Sequence, residues 1–247
     1  MHKPLVFVGL LFQILGSSGL AQVSDPKSLS FSKADSLQNQ LTPASLCLEG
    51  ELILNLYEQE HRFPFKRLIK HPDKLVTISE FEGRKRISGF DGEKFWVMNE
   101  EVINSSRSID IISSRVQANL EGLSKFYRNN QVRSVEQTEL NNSTYLKLTV
   151  ITNDGYTLHY FLNTKTNLLE ILQIPLEEPS TGRLNMTEYR YSDYREIDGI
   201  IYPFRKEYFF NHELKSVERI RSITVNCETD DKMFSKSSVL SVLQQYL

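Results

Sequence analysis

YLKLTVITNDGYTLHYFL, from Tyr145 to Leu162, holds two apolar-rich runs around one tight turn. Tyr145 to Thr152 and Tyr156 to Leu162 flank Asn153-Asp154-Gly155. Glycine accepts the positive φ that hairpin turns need, so the stretch predicts a β-hairpin. The same arrangement recurs on both sides of it.

Toward the C-terminus, Leu168 to Pro175 continues the set as a third strand. A loop rich in Glu, Pro, Ser and Gly, from Glu177 to Gly182, leads into a strand at Met186 to Tyr194. Asp198-Gly199 turns the chain into Ile200 to Phe210, and Asn211-His212 turns it again into Val217 to Val225. Toward the N-terminus, Leu52, Leu54 and Leu56 alternate with Ile53, Asn55 and Tyr57, the period of a strand. Phe65 to Lys70 and Leu75 to Phe81 follow, interrupted by His71-Pro72-Asp73. Ile87 to Phe90 and Phe95 to Met98 flank Asp91-Gly92, a further hairpin. Successive hairpins predict one antiparallel sheet with alternating faces.

A single segment keeps a different period. Ile109, Ile112, Val116, Leu120, Leu123 and Tyr127 recur at spacings of three and four, with Asp110, Ser113, Ser114, Gln117 and Glu121 between them. This predicts an amphipathic helix of about five turns. Short helices are also expected within residues 22–44 and at Val239 to Leu247. An antiparallel sheet and one long amphipathic helix must bury their apolar faces on each other. Two arrangements satisfy that need. The helix fills the sheet face and makes a plain core, or a curved sheet leaves a hollow that takes an apolar ligand.

The N-terminus reads as an export signal. His2 and Lys3 precede the apolar stretch Leu5 to Leu15, and Gly19 and Ala21 stand at the −3 and −1 positions of a cleavage site. The apolar stretch is shorter than the roughly 20 residues of a spanning helix. The expected organisation is a signal peptide at residues 1–21 and one domain at residues 22–247, exported and soluble after cleavage. With a formal charge of −2, the chain has no basic footprint for nucleic acid. Cys47 and Cys227 are the only cysteines. Export permits a bridge between them, and sequence distance does not decide it. The five histidines and two cysteines show no metal-ligand spacing. No Gly-rich phosphate loop or nucleophile elbow is present, so neither an enzyme nor a cofactor is expected.

Several segments, in order, resemble the bacterial outer-membrane lipoprotein carrier (LolA-like) superfamily and its outer-membrane lipoprotein-sorting branch. Leu68-Ile-Lys-His-Pro-Asp-Lys-Leu75 is similar to its K-R-P-N strand. Gly89-Phe-Asp-Gly-Glu-Lys-Phe-Trp-Val-Met-Asn99 is similar to its Y-D-G-K-x-x-W-x-x-N hairpin. Tyr160 to Leu168 resembles its Y-Y-L-D-x-x-T strand and turn, and Tyr191 to Pro203 its F-S-D-Y-x-x-V-x-G-x-x-x-P segment. Asp230-Asp231-Lys-Met-Phe234 sits where those chains have D-D-x-x-F. Together these stretches span roughly residues 45 to 235.

The resemblance implies a mainly β fold with some α: a curved antiparallel sheet forming an unclosed barrel, covered by lid helices over an apolar cavity. It also implies a periplasmic carrier for lipid or lipoprotein acyl chains, in transport toward the outer membrane, with membrane-associated donor or acceptor proteins as partners. A lipid-sensing or protein-interaction module of the same fold is the alternative. The apolar residues expected to line the hollow are Leu52, Leu54, Leu56 and Trp96 from the sheet, and Ile112, Val116, Leu120 and Leu123 from the helix. His71 stands where the carriers have an Arg that can bond to the lid. It is the candidate latch, shorter than Arg and without its permanent charge.

Overall fold

The computed structural model describes residues 43–56, 59–81, 83–98, 102–105, 108–118, 131–178 and 181–235. The export signal, the expected helices at either end, and Leu120, Leu123 and Tyr127 lie outside the described residues.

Among the described residues, thirteen strands make one antiparallel sheet. Seven come from the first part of the chain or from its last strand: β1 (Ser45–Leu56), β2 (Gln59–Lys70), β3 (Lys74–Phe81), β4 (Arg84–Phe90), β5 (Phe95–Met98), β6 (Val102–Ser105) and β13 (Glu213–Val225). The others are β7 (Gln131–Leu140), β8 (Ser143–Ile151), β9 (Thr157–Asn163), β10 (Leu169–Glu177), β11 (Leu184–Ile197) and β12 (Ile200–Phe210). One helix, α1 (Ser108–Ala118), joins the two sets. The spatial order is β6-β5-β4-β3-β2-β1-β13-β12-β11-β10-β9-β8-β7. Every neighbour is thus a hairpin partner except β1 and β13, whose pairing brings the two runs together. The sheet ends at β6 and β7 and does not close into a barrel.

The turns follow from residues that tolerate positive φ. Asp198 and Gly199 take φ of 49° and 80°, and Asn211 and His212 take 48° and 69°. Two successive positive φ values suit the right-handed twist of hairpin strands. The strands Gln131–Leu140 and Val102–Ser105 were not among those expected. Both are sheet edges, and β7 is mostly polar, so neither shows the apolar alternation of a central strand.

Both faces of the sheet bury apolar side chains. One face carries Leu46 and Leu48 of β1, Phe65 and Ile69 of β2, and Tyr202 and Phe204 of β12. It continues through Leu148, Tyr160, Leu172 and Tyr189 on the β8–β11 side. Helix α1 lies on this face. It meets β3, β4 and β5 at one side, while Ile112 and Val116 pack among β8 to β11 at the other. A short helix must be held from both sides by packing, because its own hydrogen bonds are marginal at this length.

The opposite face buries a separate cluster of Leu68, Val76, Ile78, Ile87, Trp96 and Met98, closed by Met233 and Phe234 of a 3-10 turn at Asp231–Phe234. Cys47 and Cys227 form a disulfide with Cα atoms 6.0 Å apart. It ties β1 to the chain leaving β13.

Candidate functional site

The site is built where α1 crosses the centre of the sheet. Parity along three strands selects its residues. Phe63, Phe65, Arg67 and Ile69 share one face of β2. Tyr202, Phe204, Lys206 and Tyr208 share that face of β12, and Ser216, Glu218 and Ile220 share it on β13. Three charges therefore stand in apolar stripes, under the helix.

The Arg67 guanidinium donates Nη1–H and Nη2–H to the two carboxylate oxygens of Glu218, at 2.8 and 2.9 Å, and Nε–H to Thr77 Oγ1 at 3.0 Å. A bidentate fork of this kind is the strongest neutralising geometry available to a carboxylate. Lys206 Nζ lies 2.8 Å from the same carboxylate. It also donates to Gln117 Oε1 of α1 at 3.0 Å. Arg67 is 7% exposed and Lys206 8%. Gly50 of β1 leaves room for this arrangement. A Cβ there would approach the Phe65 ring at 2.9 Å, and that ring carries the Arg67 guanidinium 5.0 Å from its centroid.

Two cations face one carboxylate, and the titration behaviour follows. Burial alone would raise Glu218, but Arg67 and Lys206 hold its carboxyl well below the usual range. Burial presses Lys206 down to about 8, with Arg67 adding repulsion and Glu218 opposing. Tyr189, beneath the helix, is pushed up chiefly by burial, with a hydrogen bond to Ser113 opposing.

Polar ties hold α1, among them Gln117 to Lys206, Ser113 to Tyr189, and Arg115 to Asp154 at 2.9 Å. Ser113 and Ser114 are buried. The expected pattern put Ser113, Ser114 and Gln117 on a solvent face. The helix is instead enclosed by the two arms of the curved sheet, so residues off its apolar stripe also meet protein.

The expected site residues divide by face. Leu52 packs beside the Leu46–Phe65 cluster on the helix face, and Leu54 is half-buried there. Leu56 is the last residue of β1. Ile112 and Val116 are buried in the β8–β11 cluster. Trp96 is 1% exposed but belongs to the opposite face, where its Nε1–H donates to Phe234 O at 3.3 Å. It neighbours Phe95 in sequence, and a shift of one residue in a strand reverses the face. Trp96 is therefore no part of a helix-side hollow. His71 occupies the β2–β3 turn and donates its backbone N–H to Ala44 O at 3.0 Å. The side chain that reaches α1 from the sheet centre is Lys206. Sequence reading missed Arg67, Lys206 and Glu218, although their stripe parity could have marked them.

A cavity of about 10 Å³ is lined by Arg67, Gln117, Tyr191, Tyr202, Lys206 and Glu218, among others. That is room for about one water. The described helix thus closes this part of the face.

This architecture is similar to that of several solved structures. A LolA superfamily protein from Nitrosomonas europaea superposes with a TM-score of 0.61 at 17% identity, covering 86% of this chain and 98% of that one. The fold is LolA-like. A DUF1329 family protein from Desulfovibrio piger gives 0.60 at 16% identity, over 87% of this chain and 99% of its own. A domain described as an outer membrane lipoprotein-sorting protein of Vibrio parahaemolyticus gives 0.57 at 11%, over 84% and 96%. Neither a family model nor a curated protein matches at the level of sequence. The likeness is one of LolA-like architecture. Among the described residues, no helix is long and apolar enough to cross a membrane.

Proposed function

We propose that this chain is an exported, periplasmic binding protein that carries lipid or lipoprotein acyl chains on the helix-covered face of its sheet, toward the outer membrane. The observation that carries the reading is the position of α1. It spans two arms of an unclosed sheet and shields apolar clusters on both. Displacing the helix exposes apolar clusters on both arms, of the kind an acyl chain covers, with the charged cluster between them. Burial lost by the helix is then replaced by burial against the ligand, so opening and loading exchange similar free energies.

The LolA-like fold and the sorting-protein relative support the reading. The N-terminal export pattern and the disulfide agree with an oxidising compartment. The donor and acceptor partners in this reading are membrane-associated proteins.

The test is the composition of the purified mature protein. Native mass spectrometry and an organic extract should show acyl-chain species bound near one-to-one, and the delipidated protein should take up a fluorescent fatty acid. A protein that carries no lipid and ignores the fluorescent probe rules the carrier reading out. Emission from Trp96 is unsuited to this measurement, because the ring is sealed on the opposite face.

A further inference from the structure

We infer that the helix-covered face selects an acidic lipid, and that Lys206, with Arg67 behind it, receives a single anionic group at the end of the acyl chain. The inference rests on the carrier reading and names the chemistry of its ligand.

The buried charges under the helix do not balance. Arg67 and Lys206 are both buried, and both bond the one carboxylate of Glu218. The cluster keeps one positive charge in excess in a place where an uncompensated charge is costly. A site serving stability alone would not need it, since apolar residues of similar volume commonly do as well. One monoanion would balance the cluster.

The geometry supplies a place for that anion. Arg67 is held by Glu218 and Thr77, so it fixes the carboxylate rather than moving. Lys206 is the adaptable member. Besides the Glu218 carboxylate and the face of the Tyr189 ring, 5.7 Å away, its partner is Gln117 Oε1, a neutral amide oxygen supplied by α1. That oxygen stands where a ligand oxygen would accept. Exchanging an amide oxygen for a carboxylate or phosphate oxygen strengthens the bond to the ammonium. The same exchange releases one polar tie of the helix. The ligand thus binds the open form better than the closed one, which is the condition for a ligand to shift a helix. The surroundings suit the remainder of such a molecule: Tyr191, Tyr202 and Ile220 line the cavity beside the charges, and the apolar clusters extend from it on both sides. A mostly apolar site with one fixed polar group orients an amphiphile.

The experiment compares oleate with oleyl alcohol on the delipidated mature protein, by displacement of a neutral fluorescent amphiphile. Inorganic phosphate alone is a third arm, read by thermal shift. Wild type should bind oleate about tenfold or more tighter than the alcohol. Lys206→Met should remove that preference by weakening oleate relative to the alcohol. Gln117→Glu, which places a carboxylate on Lys206 from the helix, should also remove it. It serves as a second variant on a different element. Equal affinity for the two amphiphiles in wild type, or an undiminished preference in both variants, overturns this inference and leaves the carrier reading standing. Binding of neither amphiphile overturns the carrier reading and this inference with it. If phosphate alone stabilises wild type as strongly as oleate does, the site takes a free anion and the acidic-lipid assignment falls.

Discussion

The two faces of the sheet bury their side chains by different means. On one, Trp96 packs with Leu68, Val76, Ile87 and Met98 beneath Met233 and Phe234. Its ring even occupies the space a side chain at Gly89 would take. On the other, helix α1 covers apolar clusters between which Arg67, Lys206 and Glu218 are buried. Around Trp96, on the first face, the core is apolar and its cover is a one-turn clasp, while the buried carboxylate farther along this face, Glu188, is paired with Arg190. The second keeps three ionised groups in contact, two cations on one carboxylate, beneath the helix. A face built only to hold the fold would resemble the first, so the second is where function is to be sought.

The largest effect should come from Glu218→Gln. It leaves Arg67 and Lys206 buried together without the carboxylate that both bond. Removing one partner from a buried ion cluster costs about 3–5 kcal/mol. Urea unfolding should therefore show a large loss of stability. The triple replacement of Arg67, Lys206 and Glu218 by Met, Met and Leu should restore wild-type stability or exceed it. If the triple variant stays as unstable as the single one, the charges are structural and the contrast between the faces fails.

Lys206 gives the next effect, and it has the opposite sign. In the folded protein its ammonium is held at about 8, against an ordinary 10.5. The unfolded chain therefore binds a proton between those values that the folded protein lacks. Stability should rise with pH from about 8 to about 10.5, and the full penalty should apply below 8. The difference corresponds to roughly 3 kcal/mol. Lys206→Met should abolish this rise and make the protein more stable than wild type at pH 7. A wild-type protein whose stability falls or stays flat across that window, relative to the variant, contradicts the excess of positive charge.

Much of the architecture was legible because it rests on local chemistry. Asp-Gly and Asn-His turns need residues that accept positive φ, and alternation is visible in any strand with one apolar face. The helix period was visible for the same reason. Facing was less legible. This sheet buries apolar residues on both sides, so the alternation of Phe95 and Trp96 does not tell which of them meets the helix. The edge strands, β6 with its four residues and the mostly polar β7, carry no apolar period to read. The charge cluster is a product of topology. Arg67 and Glu218 are separated by 151 residues and meet only because β1 lies between β2 and β13. A charge within a strand ordinarily means solvent. Its place in the run Phe63, Phe65, Arg67, Ile69 was the one local sign to the contrary.

The opposite face can be tested at Gly89. A methyl group there must displace the Trp96 ring, which is packed under Phe234 and has no empty space to enter. Gly89→Ala should cost about 1–3 kcal/mol by overpacking. It should leave fatty-acid binding unchanged, because the helix face is not touched. A change in ligand affinity without loss of stability would show that the two faces are coupled, and the division of labour between them would need revision.

The smallest effect concerns the outer tie of the helix. Arg115 meets Asp154 in the β8–β9 turn, with both side chains partly in solvent. Burial alone would raise Asp154, but hydrogen bonds from Thr152 and Arg115, with the Arg115 charge, bring it below its ordinary value. The pair therefore contributes above the usual carboxylate range and is lost as pH falls through it. Solvent screens an exposed pair, so Arg115→Ala should cost only about 0.2–1 kcal/mol of global stability. Its value lies in where that loss appears. If α1 moves as a lid, this tie stabilises the closed helix against the open one while the sheet stays folded in both. Hydrogen exchange should then quicken in residues 108–118 of the variant and remain unchanged in β1 and β13. The quickening should fade as pH falls below the usual carboxylate range, where Asp154 takes up its proton in the parent protein as well. If exchange instead rises uniformly through sheet and helix, α1 opens only when the whole sheet unfolds, and a sliding or lifting helix is no longer available as the route to the buried face.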